Sequence, residues 1–371
     1  MKITLSPTDV SQVQELLKTK DDNIRSADMF LFYLENDACS VDKSLLEKQK
    51  ALANATDEQA YVQLMAKHLG LDSRNKQDKE LMTKYLFKGV SKLSPASYRD
   101  NPYYKNVRVK PVHEGAWELR YEPYDPYEAF IYDDALVDEH QNYLERTRMG
   151  FFDEPFEFLA VAEKGVTWMS ITPNEIETMR EAIDASHGRV ITLGLGLGYF
   201  AYMASIKANV ESVTIIETNP QIITMFQKYI LPQFPSPEKI RIIRQDAFDY
   251  VAKTMTPSDF DFAFVDLWHG GEDGLPLYLQ MKKWERKFPQ TTFAYWLETS
   301  LLVMLRRCVL TLLEEEMAGS TDEAYQKAET PIDTIINALH KLLKQTRVSS
   351  YQEAYDLVSE GTLKRLAEKI L

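Results

Sequence analysis

Three glycines at alternate positions, Gly194, Gly196 and Gly198, lie in RVITLGLGLGYFA between an apolar run and an amphipathic segment. Without a Cβ, a loop leaving a strand here can turn sharply and bring its backbone against a ligand, with helix N–H groups facing the same space. Three acids follow in order. Glu217 ends the run SVTIIE, 19 residues after Gly198, where a carboxylate can accept both hydroxyl protons of a ribose. Asn219 suits the cap of the next helix, which leaves Glu217 for a ligand. Asp246, in RQDAFDY after KIRII, could with the backbone beside Ala247 read an adenine amino group, and an ordinary helix cap fits it nearly as well. Asp266, in FAFVDLWHGG, closes a fourth apolar run and opens a glycine-rich loop. An acid at the carboxyl end of a central strand faces the crevice where ligands bind in open α/β sheets.

These positions need a framework that gathers strand ends. From Arg189 the chain alternates: RVITL, SVTII, KIRII, DFAFV and TTFAYW read as strands, separated by the helical segments FAYMASIKA, PQIITMFQKYI, AFDYVAKTM and LPLYLQMKKWERKF. Strands separated by helices imply right-handed βαβ units and a Rossmann-like, doubly wound, mostly parallel sheet. Thr172-Pro173-Asn174-Glu175 reads as the start of a helix running to His187: a cap, a proline at the first turn and an acid three residues on. The expected α/β organisation is a helical N-terminal domain (1–98), a β-rich lead-in (99–171), the sheet domain (172–297) and a helical C-terminal extension (298–371), with no late strand pair. Within the lead-in, VRVKPV, WELRYE, EAFIYDD, FEFLAVAE and VTWMSI are the expected strands.

Composition narrows the classes. The 371 residues are 44% hydrophobic and 27% charged, a globular balance with ample core. Net charge −13 opposes phosphate backbones and anionic lipid, so neither nucleic acid nor membrane is the expected partner. The two cysteines, Cys39 and Cys308, lie too far apart in sequence for a ligand pair, so no metal is expected, and the N-terminus lacks a signal-peptide core; a cytoplasmic setting is expected.

The ordered set of a glycine loop, an acid after the second strand, Asp-Ala after the third and Asp after the fourth resembles the motifs of class I S-adenosylmethionine-dependent methyltransferases, over about residues 188–297. The resemblance implies S-adenosylmethionine as cofactor. It places Gly194, Gly196 and Gly198 under the amino-acid end, Glu217 on the ribose, and Asp246 with Ala247 on the adenine. Thr192 departs from the pattern, since the family carries an acid there; Asp266 or a backbone carbonyl would then hold the ammonium group. The β-rich lead-in and the strand-four acid also resemble spermidine synthases, which use decarboxylated S-adenosylmethionine. Their second acid three residues on is replaced here by His269, which disfavours aminopropyl transfer.

The expected activity is methyl transfer to a small molecule such as an amine, with Asp266 and His269 as candidate catalytic residues and Trp168 near the acceptor. A solvated loop histidine is the plainer reading of His269. Tyr121, Tyr124 and Tyr127, three apart in YEPYDPY, would share one face of a polyproline-type helix beside Glu122 and Asp125 and attract a cation, so Tyr124 and Tyr127 are candidate substrate contacts; ordinary packing on the sheet is the stronger reading. Asn101-Pro102-Tyr103-Tyr104 lies before the glycine loop and reads as a turn. The apolar helix SLLVMLRRCVLTLLEE suits core packing or a homodimer. Gly196, Gly198 and Ala201 also satisfy G-x-G-x-x-A, which keeps an NAD(P)-binding oxidoreductase as an alternative, and Thr192 with the long helical ends keeps a non-catalytic interaction module as another.

Overall fold

A computed structural model describes residues 1–319 and 330–370. A short strand, β1 (Lys2–Ile3), leads into the helix Pro7–Asn36, whose cap Ser6 accepts from the Asp9 N–H at 3.2 Å. Helices Lys43–Ala53 and Asp57–His68 and then β2 (Val90–Lys92) complete most of this region. The lead-in contributes β3 (Val112–Glu114), β4 (Trp117–Tyr124), β5 (Ala129–Asp138), β6 (Leu144–Phe151), β7 (Phe156–Glu163) and β8 (Val166–Ser170). They form two sheets, β3-β4-β7-β8 and β2-β6-β5.

Strand β6 departs from the expected pattern because Glu145, Arg146 and Arg148 interrupt its apolar residues. The buried Glu145 is answered by Arg307, 2.6 Å away on a distant helix, a partner no local pattern reveals. The VRVKPV segment becomes strand only from Val112. The helix expected from Thr172 breaks at Met179 into Pro173–Thr178 and Arg180–Ala185, and Thr172 caps it without a side-chain hydrogen bond.

Beyond Gly188 the alternation gives β9 (Gly188–Leu193), β10 (Val210–Glu217), β11 (Ile240–Arg244), β12 (Phe262–Val265) and β13 (Thr292–Tyr295). They form a parallel sheet in the order β11-β10-β9-β12-β13. The chain steps outward from β9 to β11 and then crosses to the other side of β9, so a crevice opens at the carboxyl ends of β9 and β12. Val190, Ile191 and Leu193 and all four residues of β12 are buried, as strands covered on both faces require. On one face Phe200 stacks on Phe264 at 4.2 Å.

The helix Glu298–Ala318 buries ten residues, among them Leu301, Leu305, Val309 and Leu313, and so belongs to the core. Asp134 of β5 caps its first turn, accepting from the N–H groups of Thr299 at 3.2 Å and Ser300 at 3.1 Å. The described residues of the C-terminal region are mainly helical, but, against the expectation of no late strand pair, β14 (Arg347–Val348) pairs in parallel with β1, so the first residues of the chain lie against the last helices. The expected helical extension is described apart from 320–329 and 371, which lie outside the described residues. Among the described residues no helix is long and apolar enough to cross a membrane.

Two apolar clusters organise the whole. The larger joins the parallel sheet, the β3-β4-β7-β8 sheet and the C-terminal helices; the smaller joins the early helices to β5 and β6. The expected boundary at residue 98 is therefore crossed by packing. Replacing Asp134 by alanine leaves the first amides of Glu298–Ala318 without an acceptor and is expected to cost about 1–2 kcal/mol, read as a lowered denaturation midpoint in urea. An unchanged midpoint would show that this cap carries no stability.

Candidate functional site

The glycine loop is shaped by what presses on it. Gly194 has φ +106°, and a Cβ there would lie 2.0 Å from the Asp266 carbonyl oxygen. Gly196 has φ +52°, and its Cβ would lie 2.3 Å from the Met169 sulfur of β8. Only glycine satisfies both the left-handed backbone and these approaches. From behind, the Tyr103 hydroxyl donates to the Leu197 carbonyl at 2.7 Å, and the Asn101 side chain donates to the Tyr199 hydroxyl at 2.8 Å. The Asn101-Pro102-Tyr103-Tyr104 turn thus starts a short helix, Pro102–Asn106, that buttresses the loop.

In front of the loop lies a hollow of about 530 Å³, within the roughly 300–1,000 Å³ of small-molecule sites. Gly194, Gly196, Glu217, Asp266, His269 and Trp168 all line it, so most of the sequence-derived candidates meet in one place. Glu217 is positioned by backbone: its Oε1 accepts from the N–H groups of Thr218 and Asn219, each at 2.7 Å, and its Oε2 from Leu195 N–H at 3.3 Å. Oε2 keeps acceptor capacity toward the hollow. Asn219 does cap the next helix, accepting from Gln221 N–H at 3.0 Å.

Asp266 follows β12, its N–H donating to the Leu193 carbonyl at 2.9 Å. Its carboxyl has no hydrogen-bond or ion-pair partner among the described residues; burial first, and then the charge of Glu217, push its pKa up to about 7. A third acid, Glu175, also lines the hollow. It is only 9% exposed, equally without a partner among the described residues, and held well above the usual carboxylate range by burial and by Asp266. The sequence reading takes Glu175 as a capping acid, whereas the Thr172 cap makes no side-chain bond and the carboxyl faces inward. One signal could have found it. Ile171, Glu175, Met179 and Ile183 recur at four-residue spacing and are all buried, so an acid stands on an apolar stripe.

The rim is aromatic. Trp168 meets Trp117 edge-on at 5.6 Å and His269 at 6.4 Å, and Trp296, fixed by its indole N–H donating to Thr178 at 2.9 Å, closes the far side. His269 is exposed and paired with Asp273, 3.2 Å away. Gly198 sits behind the hollow against Phe226.

Other candidates fall elsewhere. Asp246 is exposed and caps the helix Ala247–Lys253, accepting from Asp249 N–H at 2.9 Å; it and the buried Ala247 follow the edge strand β11 and do not line the hollow. Tyr124 and Tyr127 do not share a face. Tyr124 belongs to β4, where side chains alternate, and stacks on Phe130 at 4.2 Å. Tyr127 follows Pro126 in a left-handed turn, φ +68°, and its ring enters the smaller cluster. Neither lines the hollow.

The carboxyl groups make stability depend on pH. An aspartate with a folded pKa near 7 and an unfolded value near 3.9 keeps its proton in the folded chain while the unfolded chain releases it, so stability falls as pH rises between those values. Asp266→Asn removes this term. Its melting temperature is expected to exceed that of the unsubstituted chain by about 3 °C or more above pH 7, with the gap closing toward pH 4. A gap that does not vary with pH would mean that Asp266 is ionised throughout.

A scan against protein-family models finds no match, and neither does a search of curated proteins. Solved structures do match. Spermidine synthase from Thermotoga maritima is 14% identical, with 41% of this chain and 59% of that chain covered at a TM-score of 0.30. TrmN from Thermus thermophilus is 18% identical, covering 42% and 50% at 0.26, and a PRMT1 enzyme–prozyme complex with AdoHcy from Trypanosoma brucei is 16% identical, covering 32% and 37% at 0.26. This chain thus spans under two thirds of the length of each. At such identities and scores the matches carry no functional argument, and the Rossmann-like assignment rests on the strand order and register of the chain itself.

Proposed function

We propose that this chain is a transferase that takes a methyl group from S-adenosylmethionine and delivers it to a small amine. The observation that supports this most is the convergence of the glycine loop, Glu217 and Asp266 on one hollow at the switch point of a parallel sheet. The residues present suit the cofactor: a loop without side chains for close approach, a carboxylate with spare acceptor capacity for ribose hydroxyls, and acids facing the region of an ammonium and a sulfonium.

When bound, the sulfonium supplies an activated methyl carbon. The chain has to align the acceptor, exclude water and receive a proton. Trp168 and Trp296 give the hollow aromatic walls on which a cationic acceptor can rest. Asp266, with a pKa near 7, suits a group that takes the amine proton at neutral pH, and His269 at the rim offers a second acceptor.

A second reading, aminopropyl transfer, is favoured by one observation: among the described residues no arginine or lysine lines the hollow to pair with a ligand carboxylate. Calorimetric titration with S-adenosylmethionine and with its decarboxylated form tests both. Binding of the first, with methylated amine detected by mass spectrometry, is the expected result; exclusive binding of the second transfers the proposal to aminopropyl chemistry, and binding of neither rejects both. Glu217→Ala is expected to weaken cofactor binding roughly ten- to a hundredfold while the circular dichroism spectrum is unchanged. Unaltered affinity in that variant would remove Glu217 from the site.

A further inference from the structure

The acid that the glycine-loop pattern expects at position 192 is a threonine, and the structure gives that threonine another task. Thr192 is buried at the end of β9, and its hydroxyl donates to the Gly194 carbonyl at 3.1 Å, inside the loop. It offers no charge to a ligand. Beside it the space is bordered by Glu175, Asp266 and Tyr199. Glu175 comes from a different element, the short helix Pro173–Thr178 that follows the β7–β8 hairpin, and it is nine-tenths buried, unpartnered among the described residues and open to the hollow.

We propose that Glu175 is the carboxylate that receives the terminal ammonium group of the adenosyl ligand, taking over from outside the sheet the place that Thr192 leaves without an acid. The inference rests on the adenosyl-binding reading above and assigns to it a residue from the helix that precedes the parallel sheet. The charged groups facing Glu175 are few. Asp266 stands opposite, Glu217 lies beyond it, Tyr199 adds a phenol, and His269 is at the solvent rim. Among the described residues no arginine or lysine lines the hollow, so a buried carboxyl here gains a counter-charge when a cation arrives. Burial, and then the charge of Asp266, raise the affinity of Glu175 for its proton. An arriving ammonium group displaces that proton to solvent, and the charge-assisted hydrogen bond forms in its place.

Two probes isolate the interaction: S-adenosylhomocysteine, which carries the amino group, and 5′-methylthioadenosine, which lacks the amino-acid end. The unsubstituted chain is expected to prefer S-adenosylhomocysteine, with its binding enthalpy changing with buffer ionisation enthalpy as protons are released. Glu175→Gln matches the shape and neutrality of the protonated side chain, so it should fold. It is expected to lower affinity for S-adenosylhomocysteine roughly ten- to a hundredfold, leave that for 5′-methylthioadenosine within about twofold, and reduce proton release. If both probes lose affinity equally in Glu175→Gln, or neither does, the Glu175 assignment is overturned while the adenosyl reading stands. If the unsubstituted chain binds neither probe, the adenosyl reading fails and this inference with it. Asp266→Asn serves as the control at the opposite carboxyl: loss of amino-group preference there, with none in Glu175→Gln, would move the role to Asp266.

Discussion

Three carboxyl groups share one hollow that, among the described residues, no arginine or lysine lines, and the surrounding structure is arranged to hold them there. Burying such groups is costly, and the cost is met in different ways. Glu217 is satisfied by three backbone amides, whereas Asp266 and Glu175 have no such partners among the described residues and sit with raised proton affinity. The proposed ammonium contact draws on this arrangement, because a cation would restore what burial removed.

The parallel sheet was legible because its signals are local and repeated. Apolar runs, intervening helical segments and glycines after the first strand appear in order, and register then brings strand ends together without further information. Glu217 and Asp266 were readable for the same reason: each sits at the end of a strand whose position the pattern fixes. Strand β6 and Glu175 were not, for a shared physical reason. Each carries a charge where local periodicity calls for an apolar residue, and what accommodates that charge, Arg307 in one case and the hollow in the other, is set by tertiary packing.

In the tyrosine segment the ordinary-packing reading matches the structure, and the shared-face alternative does not. Spacing by three suggested one shared face, but β4 imposes alternation through Tyr124 and the turn at Tyr127 sends the next ring into a different core. The Asn101-Pro102-Tyr103-Tyr104 turn was read as a local break and is one, yet its rings and amide reach the loop on the far side of the lead-in. Sequence shows where a chain turns more readily than what the turn supports.

That support divides the hollow between parts of the chain far apart in sequence. The sheet provides a floor, while Met169, Trp168 and Glu175 enter from the hairpin and helix ahead of it, and Tyr103 steadies the loop from earlier still. Residues 172–297 taken alone would keep Glu175 and the strand ends but lose one wall and the prop beneath the loop. The shape of the hollow is therefore a property of the docked lead-in as much as of the parallel sheet, and a change in one has to be matched in the other for that shape to persist.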